Sequence, residues 1–114
     1  MSEANTLLEE FPYPPAAYEF VRQGLDHAST HRHGQTEGQR HVSGDELCRG
    51  LVDLAQIRWG GLAWLVLSSW HIERTDDFGR MVYAMVARGE LSTTEEDHPD
   101  HFRSVVDLRE VLDA

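Results

Sequence analysis

Residues 42–91 decide the fold of this chain, because helix starts and helix stops alternate closely along them: VSGDELCRGLVDLAQIRWGGLAWLVLSSWHIERTDDFGRMVYAMVARGEL. Ser43 can cap a helix start, and Glu46, three residues later, can complete a capping box. Apolar side chains then recur at helical spacing until Gly60 and Gly61, and glycine ends helices well because it readily adopts positive φ. We therefore predict a first helix of this stretch from Ser43 to the two glycines.

Two more helices are predicted in the same stretch. Residues 62–70 are apolar almost all round, so we expect a helix that is buried on most sides and lies at the centre of the domain. Thr75 then predicts an N-cap, and Asp76 in the following turn complements the helix dipole. A stripe of Phe, Met and Val residues predicts the inward face of this third helix, and Gly89 predicts its end.

The part of the chain before this stretch contains one more predicted helix. Residues 1–13 are polar and acidic, and we predict that they form a flexible segment. Residues 15–27 follow proline and carry apolar side chains at helical spacing, which predicts a helix. Residues 29–40 contain no apolar residue, which is typical of a mobile surface loop. We expect residues 14–114 to form a single domain.

The part after this stretch predicts strands. Residues 91–94 and 102–106 have the composition of two short strands, and the acidic loop 95–101 lies between them. A capping box at residues 107–110 predicts a last short helix at about residues 108–113. The expected fold class is therefore mainly α with a small β-hairpin.

This order of elements resembles the winged-helix arrangement of many bacterial regulators. The resemblance covers residues 42–106, includes the exit ARGELS at residues 87–92, and implies a helix-turn-helix followed by a wing. Separately, AYEFVRQGL at 17–25, RHVSGDELCRGL at 40–51 and TDDFGRMVYAMVARGEL at 75–91 are similar to a small family of uncharacterised bacterial proteins. That second resemblance spans most of the chain and implies no activity.

Composition limits the classes of partner. A chain of 114 residues with 40% hydrophobic and 26% charged residues is expected to form one globular domain with one core. Its net charge is -10 and it contains no lysine. Such a charge repels phosphate and anionic lipid, so nucleic acid is disfavoured and no membrane partner is expected. One cysteine excludes an internal disulfide, and no signal segment or membrane span is apparent, so we expect a cytoplasmic protein.

The outward face of the helix after Thr75 is the main candidate site. On a helical wheel, six residues opposite the apolar stripe are assigned to partner binding: Asp76, Arg80, Tyr83, Ala84, Ala87 and Arg88. Because Tyr and Arg are enriched among the anchors of protein interfaces, this face predicts contact with a protein partner or with a second copy of the chain. The alternative is a solvated helix face without a binding role.

A DNA-binding transcription regulator is a second hypothesis. It would place the same helix in the major groove, with Arg80, Arg88 and Arg103 on phosphates. The residues at the start of that helix, however, are Asp76 and Asp77, which would meet the base edges with negative charge.

A metal-responsive protein is a third hypothesis. It would use a cluster of histidines in and beside the 29–40 loop: His27, His31, His33 and His41. Imidazole and the thiol of Cys48 are ligand types that zinc accepts, but their spacing matches no established zinc pattern. No motif for a catalytic nucleophile, a phosphate loop or a cofactor occurs, so we expect a protein that is not an enzyme and has no cofactor.

Overall fold

The computed structural model describes residues 13–33, 42–91 and 97–112, and these ranges contain helices but no strand. In chain order the elements are α1 (Pro15–His33), α2 (Gly44–Trp59), a 3-10 turn (Gly60–Leu62), α3 (Ala63–Ser69), α4 (Thr75–Ala87), a second 3-10 turn (Pro99–Phe102) and α5 (Leu108–Leu112). Helix accounts for 76% of the interpretable residues. The mainly helical part of the predicted fold is confirmed.

The pairing of α1 with α2 forms the centre of the fold. A Cβ atom added at Gly50 of α2 would lie 2.6 Å from the Cβ and 3.2 Å from the Cα of Ala28 in α1. A Cβ atom added at Gly24 would overlap the side chain of Leu51. The two helices therefore approach each other more closely than larger residues at these positions would allow. The core around them is formed by buried apolar side chains that include Phe20, Val21, Leu47, Leu51, Leu67, Phe78, Met81 and Met85.

The predicted start and end of α2 are confirmed. The Ser43 hydroxyl accepts a hydrogen bond from the Glu46 N–H, and the Glu46 carboxylate accepts one from the Ser43 N–H, both at 3.1 Å. This is the reciprocal pair that the sequence predicts. At the other end Gly60 has a φ of 52°, a conformation that favours glycine. The chain therefore leaves α2 at Trp59 and passes through a tight 3-10 turn into α3.

The predicted burial of the second helix is wrong. The helix α3 is shorter than residues 62–70, and within it only Ala63 and Leu67 are buried. Leu62, at the end of the preceding turn, and Leu65 are both exposed. The reason is that α3 lies on the surface of the domain and packs through one side. An apolar sequence shows that a helix can be buried. How much of its surface is buried depends on the elements that pack against it.

The predicted β-hairpin and wing are also wrong. Leu91 lies in a bend, residues 92–96 lie outside the described part, and Phe102 closes a 3-10 turn where the second strand was expected. The backbone here is held by side chains of α4. The buried Thr75 hydroxyl donates to the Phe102 carbonyl at 2.7 Å and accepts from the Val105 N–H at 3.0 Å. Polar groups that a strand would pair with a neighbouring strand are therefore satisfied without one.

Thr75 does not have the capping role that the sequence predicts. It is the first residue of α4 and not its N-cap, which is Arg74. The carboxylate of Asp77 accepts hydrogen bonds from the backbone N–H groups of Glu73 at 2.9 Å and Arg74 at 3.0 Å.

At the start of α5, the Asp107 carboxylate accepts a hydrogen bond from the Glu110 N–H at 3.2 Å, so the predicted cap of the last helix is present.

Two predicted mobile segments lie largely outside the described residues. Of the segment 1–13, only Tyr13 is described, and it is buried. Of the loop 29–40, residues 29–33 belong to α1, which is longer than predicted. Within the ranges described, no helix has the length and apolar character that a membrane crossing requires.

Candidate interaction surface

Four large apolar side chains are exposed on neighbouring elements of the fold. They are Ile57 at the end of α2 (70% exposed), Leu62 in the 3-10 turn (61%), Leu65 in α3 (64%) and Val111 in α5 (37%). We call these four residues the apolar surface. Leu62 and Leu65 are three residues apart, which places them on the same side of the turn into α3.

The elements that carry the apolar surface are in contact with one another. The 3-10 turn and α3 both pack against α5, and α2 packs against all three. The Gln56 side-chain amide, next to Ile57, donates to the Val111 carbonyl at 3.1 Å. The guanidinium of Arg109 in α5 lies 5.9 Å from the centre of the Trp64 ring in α3, within range of a cation–π interaction. The elements that carry the four side chains are therefore neighbours in the fold.

Charge is scarce along this part of the chain. Between residues 54 and 72 the only formally charged side chain is Arg58, and the three tryptophans of the protein all lie there. The segment α5 adds Arg109 and Glu110, which carry opposite charges. A nearly neutral, tryptophan-rich region in a chain of net charge -10 has the composition of the centre of a protein interface, where charged residues are depleted and aromatic residues enriched.

An aromatic cluster of Phe20, Trp59 and Trp70 packs beside this region. Phe20 of α1 lies 5.3 Å from Trp59 and 5.9 Å from Trp70, and the two tryptophans are 5.7 Å apart at an interplanar angle of 81°. These ring separations are those of favourable aromatic pairs. Because Trp59 ends α2 and Trp70 follows α3, the cluster fixes the turn between these helices, and Leu62 lies within that turn.

The predicted partner-binding face on α4 is partly engaged within the molecule. The Asp76 carboxylate accepts a hydrogen bond from the Ser104 N–H at 3.2 Å, and the half-buried Tyr83 ring packs edge-to-face on Phe102 at 6.3 Å. Burial raises the pKa of the Tyr83 phenol. Arg80 is exposed and lies 3.5 Å from the Asp77 carboxylate. The Pro99–Phe102 turn thus covers part of the face that the sequence places in solvent.

The remaining three residues of that face lie towards the end of α4. Ala84 is half-buried and Ala87 is exposed. The Arg88 guanidinium lies 4.8 Å from the centre of the Tyr18 ring and 3.1 Å from the Glu90 carboxylate. Three of the six residues, Asp76, Arg80 and Tyr83, line one groove beside the Pro99–Phe102 turn, and the role of all six in binding a partner stays a prediction.

The arginines of the DNA-binding hypothesis each lie near a carboxylate. Arg80 is 3.5 Å from Asp77, Arg88 is 3.1 Å from Glu90, and Arg103 is 3.0 Å from Asp100. Exposed ion pairs of this kind are weak, but each would have to be broken or shared before the arginine could bind a phosphate. These ion pairs and the net charge of -10 both disfavour binding to DNA.

The histidine cluster is described only in part. The side chain of His27 is largely buried, with its Nε2 atom 3.8 Å from the Asp53 carboxylate. The side chains of His31 and His33, and the whole of His41, lie outside the described part. Among the residues that are described, no group of three or more His, Cys, Asp or Glu side chains could hold a metal ion.

Cys48 is fully buried in the core, and its burial raises the pKa of the thiol to about 12. At neutral pH it is therefore a protonated side chain that packs, since only the thiolate is a strong nucleophile or metal ligand.

A buried hydrogen bond anchors the start of α1 to α4. The Tyr13 hydroxyl donates to the Asp77 carboxylate at 2.6 Å, and burial together with this carboxylate raises the pKa of the phenol. Because Asp77 also accepts from two backbone N–H groups, the carboxylate is well satisfied as a structural group. Sequence reasoning did not find this contact, because Tyr13 and Asp77 are far apart in the chain.

Comparison of the chain with protein-family models, curated proteins and solved structures finds no match. The resemblance to a small bacterial family stays a prediction. The sequence also did not predict the apolar surface, because the run Leu62, Ala63, Trp64, Leu65, Val66 and Leu67 indicates a helix that is buried on most sides.

Proposed function

We propose that this protein is a non-catalytic interaction module of the cytoplasm, and that it contacts another protein through the apolar surface of Ile57, Leu62, Leu65 and Val111. The observation that carries the proposal is the exposure of these side chains beside an aromatic cluster, on a nearly neutral part of a strongly acidic chain. Large apolar side chains exposed on neighbouring elements are a common mark of protein interaction sites.

The energetics favour covering this surface. Burying a Leu or Ile side chain completely is worth about 1.5–3 kcal/mol. Ile57, Leu62 and Leu65 each leave more than half of their surface in water. A partner that covered them would therefore gain about 1–2 kcal/mol from each. The three side chains together would supply about 3–6 kcal/mol, so packing and hydrogen bonds at the rim must supply the rest of the cost of association, which is about 4–15 kcal/mol.

The non-catalytic part of the proposal is supported by what the candidate chemical groups do. The Cys48 thiol is buried and protonated, and the Asp77 carboxylate is occupied by three hydrogen-bond donors. Neither group is available to act on a substrate in this arrangement. The DNA-binding and metal-responsive hypotheses have no comparable supporting observation among the described residues.

Site-specific photocrosslinking in cells tests the proposal. A benzophenone amino acid is placed at Leu62, and in a second variant at Ala87, which is exposed on the α4 face that the sequence predicts to bind. We expect a discrete ultraviolet-dependent adduct from position 62 and none from position 87. An adduct from position 87 alone would transfer the contact to the α4 face, and no adduct from either would refute an interaction role.

A further inference from the structure

We propose that a groove between α3, the start of α4 and α5 binds a small zwitterion, which is an amino acid or short peptide with a free carboxylate, a free ammonium and an apolar side chain. We call it the Trp64 groove. It goes beyond the interaction role proposed above, because its lining includes none of the four residues of the apolar surface. The proposal is carried by the charges that line the groove and by the contacts that hold its wall.

The Trp64 groove has the size of a small-molecule site. Its volume is about 650 Å³, within the range of about 300–1,000 Å³ that ligand pockets have. Its lining combines apolar residues, arginines and acidic residues, among them Trp64, Val106, Arg74, Arg109, Glu73 and Asp107. Chemical groups of three kinds therefore border the same space.

The two arginines of the groove have no carboxylate partner. Of the eight arginines whose side chains the structure describes, five form ion pairs with carboxylates, and these are Arg22, Arg49, Arg80, Arg88 and Arg103. Two of the other three, Arg74 and Arg109, line the Trp64 groove. Unpaired guanidiniums are notable in a chain with 20 acidic and 10 basic residues. Because guanidinium groups bind carboxylates well, the two arginines predict a ligand with a carboxylate.

The acidic residues of the groove disfavour a ligand that is only negative. The Glu73 carboxylate forms no hydrogen bond or ion pair with another described residue. Asp76 and Asp107 each accept one hydrogen bond, from the backbone N–H groups of Ser104 and Glu110, both at 3.2 Å. A carboxylate has about four acceptor sites, so all three carboxylates keep capacity for an ammonium group.

A metal ion does not fit the positive part of the ligand. In the described ranges no group of three or more His, Cys, Asp or Glu side chains could hold one. An organic ammonium needs no such cage, because it binds through separate hydrogen bonds to single acceptors. A carboxylate and an ammonium on the same small molecule therefore match both signs of charge in the groove.

One wall of the Trp64 groove is fixed by hydrogen bonds to α4. Ser104 lines the groove with a φ of 50°, a conformation that is uncommon for residues other than glycine. Its N–H donates to the Asp76 carboxylate, and the Thr75 hydroxyl bonds the Phe102 carbonyl and the Val105 N–H on either side. A wall that is already ordered lowers the entropic cost of binding.

The apolar residues of the groove predict the side chain of the ligand. Trp64 and Val106 are both half-buried, so each keeps surface that a ligand can cover. The Arg109 guanidinium lies 5.9 Å from the centre of the Trp64 ring. A ligand whose carboxylate binds Arg109 therefore has its side chain within reach of the indole. We expect an aliphatic side chain of the size of leucine to be favoured.

Titration with L-leucyl-L-leucine and with L-leucine tests the proposal and distinguishes a peptide from a free amino acid. The readouts are calorimetry and the indole N–H resonance of Trp64, which is identified by its absence in Trp64→Phe. We expect a dissociation constant of about 0.1–1 mM for at least one of the two. The N-acetyl and the C-terminal amide forms of that ligand each lack one charge and should bind at least about tenfold more weakly.

Two variants assign the charges to residues. Arg74→Gln should weaken binding about tenfold and reduce the preference for the free carboxylate, and Glu73→Gln should reduce the preference for the free ammonium. Arg58→Gln is the matched control, because Arg58 is also exposed and has no carboxylate partner among the described residues but does not line the groove. It should leave binding unchanged.

Each opposing result overturns a stated part of the proposal. Equal binding of the zwitterion and its N-acetyl and amide forms overturns the zwitterion as ligand. Binding that Arg74→Gln and Glu73→Gln leave unchanged overturns the groove as its site. No shift of the Trp64 resonance at about 10 mM of either ligand overturns the proposal as a whole. None of these results alters the photocrosslinking test at Leu62, so the interaction role stands or fails separately.

Discussion

Replacing Gly50 by alanine tests the close packing of α1 on α2. Alanine is favoured over glycine within a helix by about 1 kcal/mol, so helix propensity alone predicts a more stable protein. The added Cβ, however, would lie 2.6 Å from the Ala28 Cβ and 3.2 Å from the Ala28 Cα. Ordinary carbon contacts are about 3.5–4.0 Å, so the two helices must separate by about 1 Å.

The cost of this separation should exceed the gain in propensity. Overpacking a core costs about 1–3 kcal/mol, and the upper end applies here because the obstacle includes backbone and not only a flexible side chain. We therefore expect Gly50→Ala to lower the free energy of unfolding by about 2 kcal/mol, or the Tm by about 8 °C. Urea denaturation at low protein concentration gives the free energy directly.

Gly61→Ala is the matched control. A Cβ atom at Gly61 would meet nothing within 4 Å, so the same chemical change should alter the free energy of unfolding by less than about 0.5 kcal/mol. If Gly50→Ala proves as stable as wild type or as Gly61→Ala, the two helices can separate freely, and the close approach is not a constraint on the fold.

Three further perturbations test other contacts of the fold. Thr75→Val keeps the volume but removes the hydrogen bonds to residues 102 and 105, so it should lower the free energy of unfolding by about 1–3 kcal/mol. Thr75→Ser keeps the hydroxyl and should retain most of the wild-type stability. Equal stability of the two variants in urea would contradict this role of the hydroxyl. Ser43→Ala should destabilise by about 1 kcal/mol through loss of the α2 cap, with unchanged urea midpoint as the opposing result. Burial raises the pKa of Cys48 from its ordinary 9.0 to about 12, so the stability present below pH 9 should be lost as the pH rises towards 12. Between pH 8 and pH 10 the wild type should therefore lose about 1 kcal/mol more than Cys48→Ala, and a parallel pH dependence of the two would show that the thiol is not protected.

Most features that depend on neighbouring residues were predicted well, the exception being the N-cap of α4, which is Arg74 and not Thr75. The capping pair of Ser43 and Glu46, the end of α2 at Gly60 and the cap at Asp107 each involve groups within three or four residues, and each is present in the structure. Such contacts form wherever the chain is locally helical, so the residue types alone are sufficient to identify them.

The hairpin was predicted incorrectly because the deciding contact is distant in the chain. Residues 102–106 have a composition compatible with a strand, but Thr75, on α4, satisfies the Phe102 carbonyl and the Val105 N–H. Phe102 itself is buried, and its ring lies 6.3 Å from that of Tyr83. Once those backbone groups are bonded to α4, pairing with another strand offers no further gain.

The sequence by itself determines the local helix signals of this protein, and the tertiary structure decides which apolar side chains are exposed. Residue types alone establish a mainly helical acidic chain, the start and end of α2, and an apolar run at 62–67. They do not establish that Leu67 is buried while Leu62 and Leu65 face solvent, or that α4 is partly covered by the Pro99–Phe102 turn. Helix signals arise from interactions within a few residues, whereas burial depends on which distant elements reach a given side, and that depends on how the whole chain packs.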